Sequence, residues 1–297
     1  MDKRLLAALV PLAFASGCKS DNRPPVVVQP IPPTASTPAA APQQPVPLPS
    51  TPAATPVPRT GALWRWDATT VAPFGIHAKP VAEWGANPRV TLVNVGNRPA
   101  VRLLTMPGDD HLFGSNDAQR CDLRLSNVTS DATEGREWWF RHGIWFPSDY
   151  VDLPGNGIWQ WGAALDWHDD ADTPGSQGPV QIVLFPRTPG QPGWPTGMHL
   201  QVYGGAPGGK ALGDFPIAPI ERNRWYDFVL HIRWTSTTAG FCDGWVNDQQ
   251  FTAYRGPTLI TGHGAYLKLA NYHMATADSA ILHGRIDVAE TREALEP

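Results

Sequence analysis

Polar and apolar residues alternate in segments of this chain from residue 120 onward with the period of a β-strand. In 120–125, Arg120, Asp122 and Arg124 share one face while Cys121, Leu123 and Leu125 form the other. In 265–272, Tyr266, Lys268 and Tyr272 line up, with Leu267 and Leu269 behind them. The runs 137–146, 180–185, 198–203, 225–234, 241–246 and 280–290 are strand-length and rich in aromatic and β-branched residues, and Gly, Pro, Asp and Asn punctuate them. No long amphipathic helix shows in the pattern. Many short antiparallel strands predict an all-β domain, a β-jelly roll sandwich of the concanavalin A-like kind. Cations and phenols on one face of two strands suggest a sheet that grips an anionic ligand.

The first sixty residues have a different character. Lys3 and Arg4 precede an apolar run, 5–14, which is too short to span a bilayer and ends in Ala15-Ser16-Gly17-Cys18. That end resembles the lipobox of bacterial lipoproteins, which makes 1–18 a signal peptide and Cys18 the lipidated residue. An ordinary signal peptide cleaved nearby is the competing reading. With Lys19 next, the resemblance implies a lipid-anchored outer-membrane protein on the periplasmic or cell-surface face. Residues 19–58, rich in Pro, Ala and Thr, carry too little apolar surface to fold and read as a tether reaching on the order of 100 Å. One domain, 59–297, follows.

The formal net charge of −4 argues against a nucleic-acid partner. With Cys18 set aside, Cys121 and Cys242 form a disulfide or remain two buried thiols, and the sequence leaves both open. No zinc signature is present. Of thirteen tryptophans, those in strand patterns read as core, whereas Trp159, Trp161, Trp167 and Trp194 lie in loop-like stretches and are candidates for stacking on sugar rings.

Taken in order, Arg120-Cys121-Asp122-Leu123, Gly143-Ile144-Trp145-Phe146-Pro147, Gln160-Trp161, Trp225-Tyr226-Asp227-Phe228-Val229-Leu230-His231, Trp245-Val246-Asn247 and Tyr266-Leu267-Lys268 through Tyr272 resemble the jelly-roll polysaccharide lyases. Those include heparin lyase I-like, glucuronan lyase-like and alginate lyase-like enzymes. The resemblance implies β-elimination on a uronic-acid polymer. A base removes the C5 proton, charge develops on the carboxylate, and the O4 leaving group takes a proton. Arg120 and Gln160 suit the carboxylate clamp. Tyr272 suits the acid, or both acid and base when elimination is syn. A phenol starts near pKa 10 and needs cations nearby, a role expected of Lys268. Arg124, Tyr266, Trp161, Trp167 and His168 are the expected substrate-binding residues.

The chain departs from the family pattern where Gln-x-His would stand, since Gln160 is followed by Trp161 and Gly162. His231, on the polar side of its strand, is the expected substitute; His142 reads as a core histidine. Asp166, Asp169, Asp170 and Asp172 could bind calcium but lack regular spacing, so a solvated acidic loop and no cofactor are expected. Asp287 and Glu290 faintly match the acid pair of jelly-roll glucanases. Two functions stay open: a monomeric lyase of anionic polysaccharide, or a non-catalytic carbohydrate-binding envelope lipoprotein on the same fold.

Overall fold

The computed structural model describes residues 61–72, 74–76, 89–107, 109, 120–125, 131–153, 161–171, 178–187, 195–208, 210–272 and 277–295. Cys18, the tether, Trp159, Gln160, Asp172 and Trp194 lie outside them. The described residues fall within one compact unit, Pro56–Pro297.

Two antiparallel sheets form it. The eight-stranded sheet contains β1 (Ala62–Trp66), β3 (Val90–Val95), β4 (Arg98–Thr105), β6 (Glu137–Phe146), β11 (Arg224–Arg233), β12 (Phe241–Val246), β13 (Gln249–Arg255) and β15 (Ser279–Ala289). Its order is β13-β12-β11-β6-β15-β4-β3, with β1 also pairing β15. The seven-stranded sheet contains β2 (Phe74–Ile76), β5 (Arg120–Leu125), β7 (Gly162–Asp169), β8 (Val180–Phe185), β9 (Gly197–Val202), β10 (Gly213–Ala218) and β14 (Ala265–Tyr272), in the order β10-β9-β8-β7-β14-β5-β2. β14 therefore sits between β5 and β7, which puts the two polar-faced segments of the sequence side by side.

The inward faces carry the alternation expected of a sandwich. Tyr226, Phe228, Leu230 and Ile232 of β11 are fully buried, as are Trp138 and Phe140 of β6. Trp138, Trp167 and Trp234 pack together with ring centroids 5.4–5.8 Å apart, joining the two sheets. Each such side chain contributes roughly 1.5–3 kcal/mol by burial. Trp167 is thus part of the core, which corrects its expected role as a sugar-stacking loop residue. Asp166, His168 and Asp169 break the apolar pattern of this stretch and give it the look of a loop. It is instead a strand paired on both sides, by β8 and β14.

His142 and His283 are fully buried, with Nε2 of His142 3.0 Å from Nδ1 of His283. Nε2 of His283 lies 3.1 Å from the Ala270 carbonyl on β14. Burial pushes both imidazoles toward the neutral form, His283 down to about 4. Cys121 and Cys242 are free, buried thiols on opposite sheets, and burial raises both well above the ordinary thiol range.

Candidate active site

The candidate site is built on the outward face of β5, β14 and β7. The ladders place Tyr272 opposite Arg120, and Lys268 opposite Arg124 on one side and Asp166 on the other. Tyr266 lies opposite His168. Side chains directly opposite on one face of a ladder are within contact range, so the register itself assembles the cluster.

Lys268 holds its centre. Its Nζ is 3.1 Å from Asp166 Oδ2 and 3.6 Å from Asp122 Oδ2. The expected partnership of Lys268 with Tyr272 is therefore replaced by one with two carboxylates. A Cβ on Gly178 would overlap the Asp166 carboxylate, so only glycine lets the backbone approach there. Although this face points away from the core, Arg120, Asp122, Asp166, Lys268 and Tyr272 are each less than a tenth exposed. Buried charges of this kind survive only when matched.

The cation beside Tyr272 is Arg120, whose Cζ stands 4.2 Å from the phenol ring centroid. Arg120 also approaches Asp122 Oδ2 at 4.0 Å. Trp161 meets Tyr272 edge to face, with centroids 5.2 Å apart, and Ala163 and Ala270 pack around the pair. At the other end of β14, Arg124 covers the Tyr266 ring at 3.6 Å and His168 stacks on it at 5.4 Å. A pocket of about 170 Å³ opens there, lined by Arg124, Tyr266, Asp131, Thr133 and Asp170 among others. The strands of this face carry three cations, Arg120, Arg124 and Lys268, and two carboxylates, Asp122 and Asp166, while Asp131 and Asp170 add two more at the pocket. With Lys268 held by carboxylates, the planar guanidinium groups of Arg120 and Arg124 are the groups suited to a ligand carboxylate.

Residues 59–284 match a family model described as polysaccharide lyase. The chain belongs to the polysaccharide lyase family. A similar solved structure is the endo-β-1,4-glucuronan lyase of the fungus Trichoderma reesei, at 12% identity and a TM-score of 0.51, over 73% of this chain and 95% of that one. The marine alginate lyase of Aplysia kurodai aligns at 10% identity and a TM-score of 0.47, over 77% of this chain and 99% of that one. At these identities the first likeness speaks for the jelly-roll fold. No curated protein matches the sequence.

Within this polysaccharide lyase the structure gathers Arg120, Arg124, Trp161, His168, Tyr266, Lys268 and Tyr272 on one sheet face. It does not bring His231 there. His231 lies on β11 of the other sheet, bonded to Glu137 at 3.1 Å and stacked on Trp139 at 4.1 Å, so the expected substitute for the family histidine is on the wrong side of the sandwich. The β7 residue opposite Tyr272 is Ala163. Asp287 faces outward on that same other sheet, matched by Arg65 at 2.6 Å and Arg285 at 2.7 Å, which removes the glucanase-like acid pair from this face. The described members of the acidic segment point to separate partners: Asp166 binds Lys268, Asp169 takes His263 at 2.9 Å, and Asp170 accepts the Gly264 amide at 3.0 Å. Among the described residues no group of three potential metal ligands forms.

Sequence reasoning missed the far half of this face. Gln181, His199, Gln201, Tyr203 and Asp214 continue it across β8, β9 and β10, with His199 Nδ1 2.7 Å from Asp214 and Tyr203 donating to Gln201 at 3.0 Å. The signal was the alternation His199-Gln201-Tyr203, which is as regular as that of β5.

Proposed function

We propose that this polysaccharide lyase cleaves a uronic-acid-containing anionic polysaccharide by β-elimination at Arg120 and Tyr272. The registered contact of these two side chains on a recessed sheet face carries the reading. Arg120 pairs the substrate carboxylate and stabilises the negative charge that develops there once C5 is deprotonated. Tyr272 works from one side of the sugar. As phenolate it takes the C5 proton, the C4–O bond breaks as the C4–C5 double bond forms, and the same proton passes to the departing O4. That syn course needs one acid/base residue and dispenses with the family histidine. Gln160, three residues before Ala163, is the second member of the carboxylate clamp.

Lys268, Arg124, Tyr266 and His168 extend the floor toward neighbouring sugars, and Trp161 orients Tyr272. The chain acts as a monomer, tethered by the lipidated Cys18 to the outer membrane. Replacing Cys18 with Ala should abolish labelling by radioactive palmitate and release the protein from the membrane fraction; unchanged labelling would remove the anchor from the account.

Gly162, standing where the Gln-x-His pattern has its histidine, favours a second reading, a carbohydrate-binding protein that moves no proton. Incubation with glucuronan, alginate and heparin separates the two. Ultraviolet absorbance from the unsaturated product supports the lyase and names its polymer, whereas binding without absorbance across the panel supports the second reading.

A further inference from the structure

The outward face of the eight-stranded sheet is unusually aromatic for a surface with no catalytic role in this account. Four of the thirteen tryptophans, Trp139, Trp145, Trp225 and Trp245, stand half-buried on the outward positions of β6, β11 and β12. Polar residues would satisfy these positions, so a cluster of indoles there calls for a ligand or partner. Trp139 stacks with Trp245 at 5.6 Å, and the Arg292 guanidinium lies 5.0 Å from the Trp245 ring.

Beside this shelf is a pocket of about 370 Å³, lined by Arg141, Val229, Asp227, Asn247, Asp248 and Arg292. Its charges are unevenly matched. Arg98 grips Asp227 through two contacts of 2.5 and 3.0 Å. Asp287, across the ladder from Arg141, is held by Arg65 and Arg285. Arg141 donates to the Leu295 carbonyl at 3.2 Å. Among the described residues, neither Arg141 nor Arg292 has a carboxylate within 4.0 Å. Asp248 sits exposed at the tip of the β12–β13 turn.

That turn is pre-formed. Asn247 and Asp248 both have positive φ, 46° and 64°, as a two-residue type I′ hairpin requires. The Asn247 side chain accepts the Asp227 amide at 2.9 Å, which pins the turn to β11. The pocket wall is thereby fixed before any ligand arrives, which lowers the ordering cost of binding.

Two guanidinium groups without a carboxylate partner among the described residues, next to an indole, match the chemistry of a uronate sugar. We infer that this pocket is a second, non-catalytic binding site for the same anionic polysaccharide, with Arg141 and Arg292 taking a carboxylate beside the Trp245 indole. The inference rests on the uronate substrate class proposed above. It lets one chain hold the polymer on one sheet and act on it with the other.

The test uses the full chain and glucuronan, in long-polymer form and as a trisaccharide. Arg292→Glu and, separately, Arg141→Gln should each raise the Kd for the long polymer about tenfold, as expected for losing one charge-assisted contact. The rate of unsaturated product from the trisaccharide should match the wild type, because the reaction face is untouched. An unchanged polymer Kd in both variants overturns the second site. A wild-type chain that binds without cleaving counts against the reaction and leaves this pocket standing on its Kd shifts; one that binds no uronate polymer overturns both.

Discussion

Arg120 and Tyr272 are directly opposite each other across the β5–β14 ladder, and the guanidinium lies 4.2 Å from the phenol ring. Their sequence separation is large, yet the register makes them neighbours on one sheet face. That pairing makes Arg120 the cation that answers negative charge developing near Tyr272.

Arg120→Lys keeps the charge and loses the planar fork that pairs a carboxylate through two parallel bonds. We expect kcat/KM to fall by roughly 10²-fold with the fold intact, the scale of losing one preorganised donor. Steady-state rates beside a circular-dichroism melt check this; wild-type rates from the Lys variant would remove Arg120 from the carboxylate clamp.

Lys268→Met should act on stability first. It leaves Asp166, 3% exposed, without its cation and Asp122, 0% exposed, with Arg120 alone at 4.0 Å, at a cost of about 3–5 kcal/mol. A denaturant melt should show the loss, and adding Asp166→Asn should recover part of it. Full stability in the single variant would contradict the central place given to Lys268.

His142 and His283 set an acid limit. Their imidazoles are held neutral by burial, so the unfolded chain binds more protons than the folded one below the ordinary histidine value near 6.5. Stability should therefore be full above that value and decline as pH falls toward about 4, by roughly 3 kcal/mol for His283 alone. His283→Gln should flatten this slope between those limits in urea titrations; an unaltered slope would place the acid sensitivity elsewhere.

Cys121 and Cys242 should both resist a thiol reagent in the native protein and react once it is unfolded. They face the interior from opposite sheets, and burial disfavours each thiolate. Reaction in the native state would mean that the sandwich opens readily.

Much of the fold was legible. The strands over 120–125 and 265–272 coincide with runs read from alternation, and those over 137–146, 180–185 and 241–246 with runs read from their aromatic and β-branched content. β7 was not legible, because Asp166, His168 and Asp169 made it look like a loop although Trp167 anchors it in the core. His231 shows the other limit. Period-two alternation correctly put it on an outward face, but alternation does not say which sheet, and only strand order places it opposite the site. The Lys268 carboxylate pairing was hidden for the same reason, since Asp166 reaches it only through the β7–β14 ladder.

The most direct test is the rate of unsaturated product formed from the preferred polymer by the wild type and by Tyr272→Phe, with near-ultraviolet circular dichroism to confirm equal folding. The account predicts a fall of about 10²–10⁴-fold on loss of the hydroxyl, with the polymer still bound. A Tyr272→Phe chain that cleaves at the wild-type rate would contradict it.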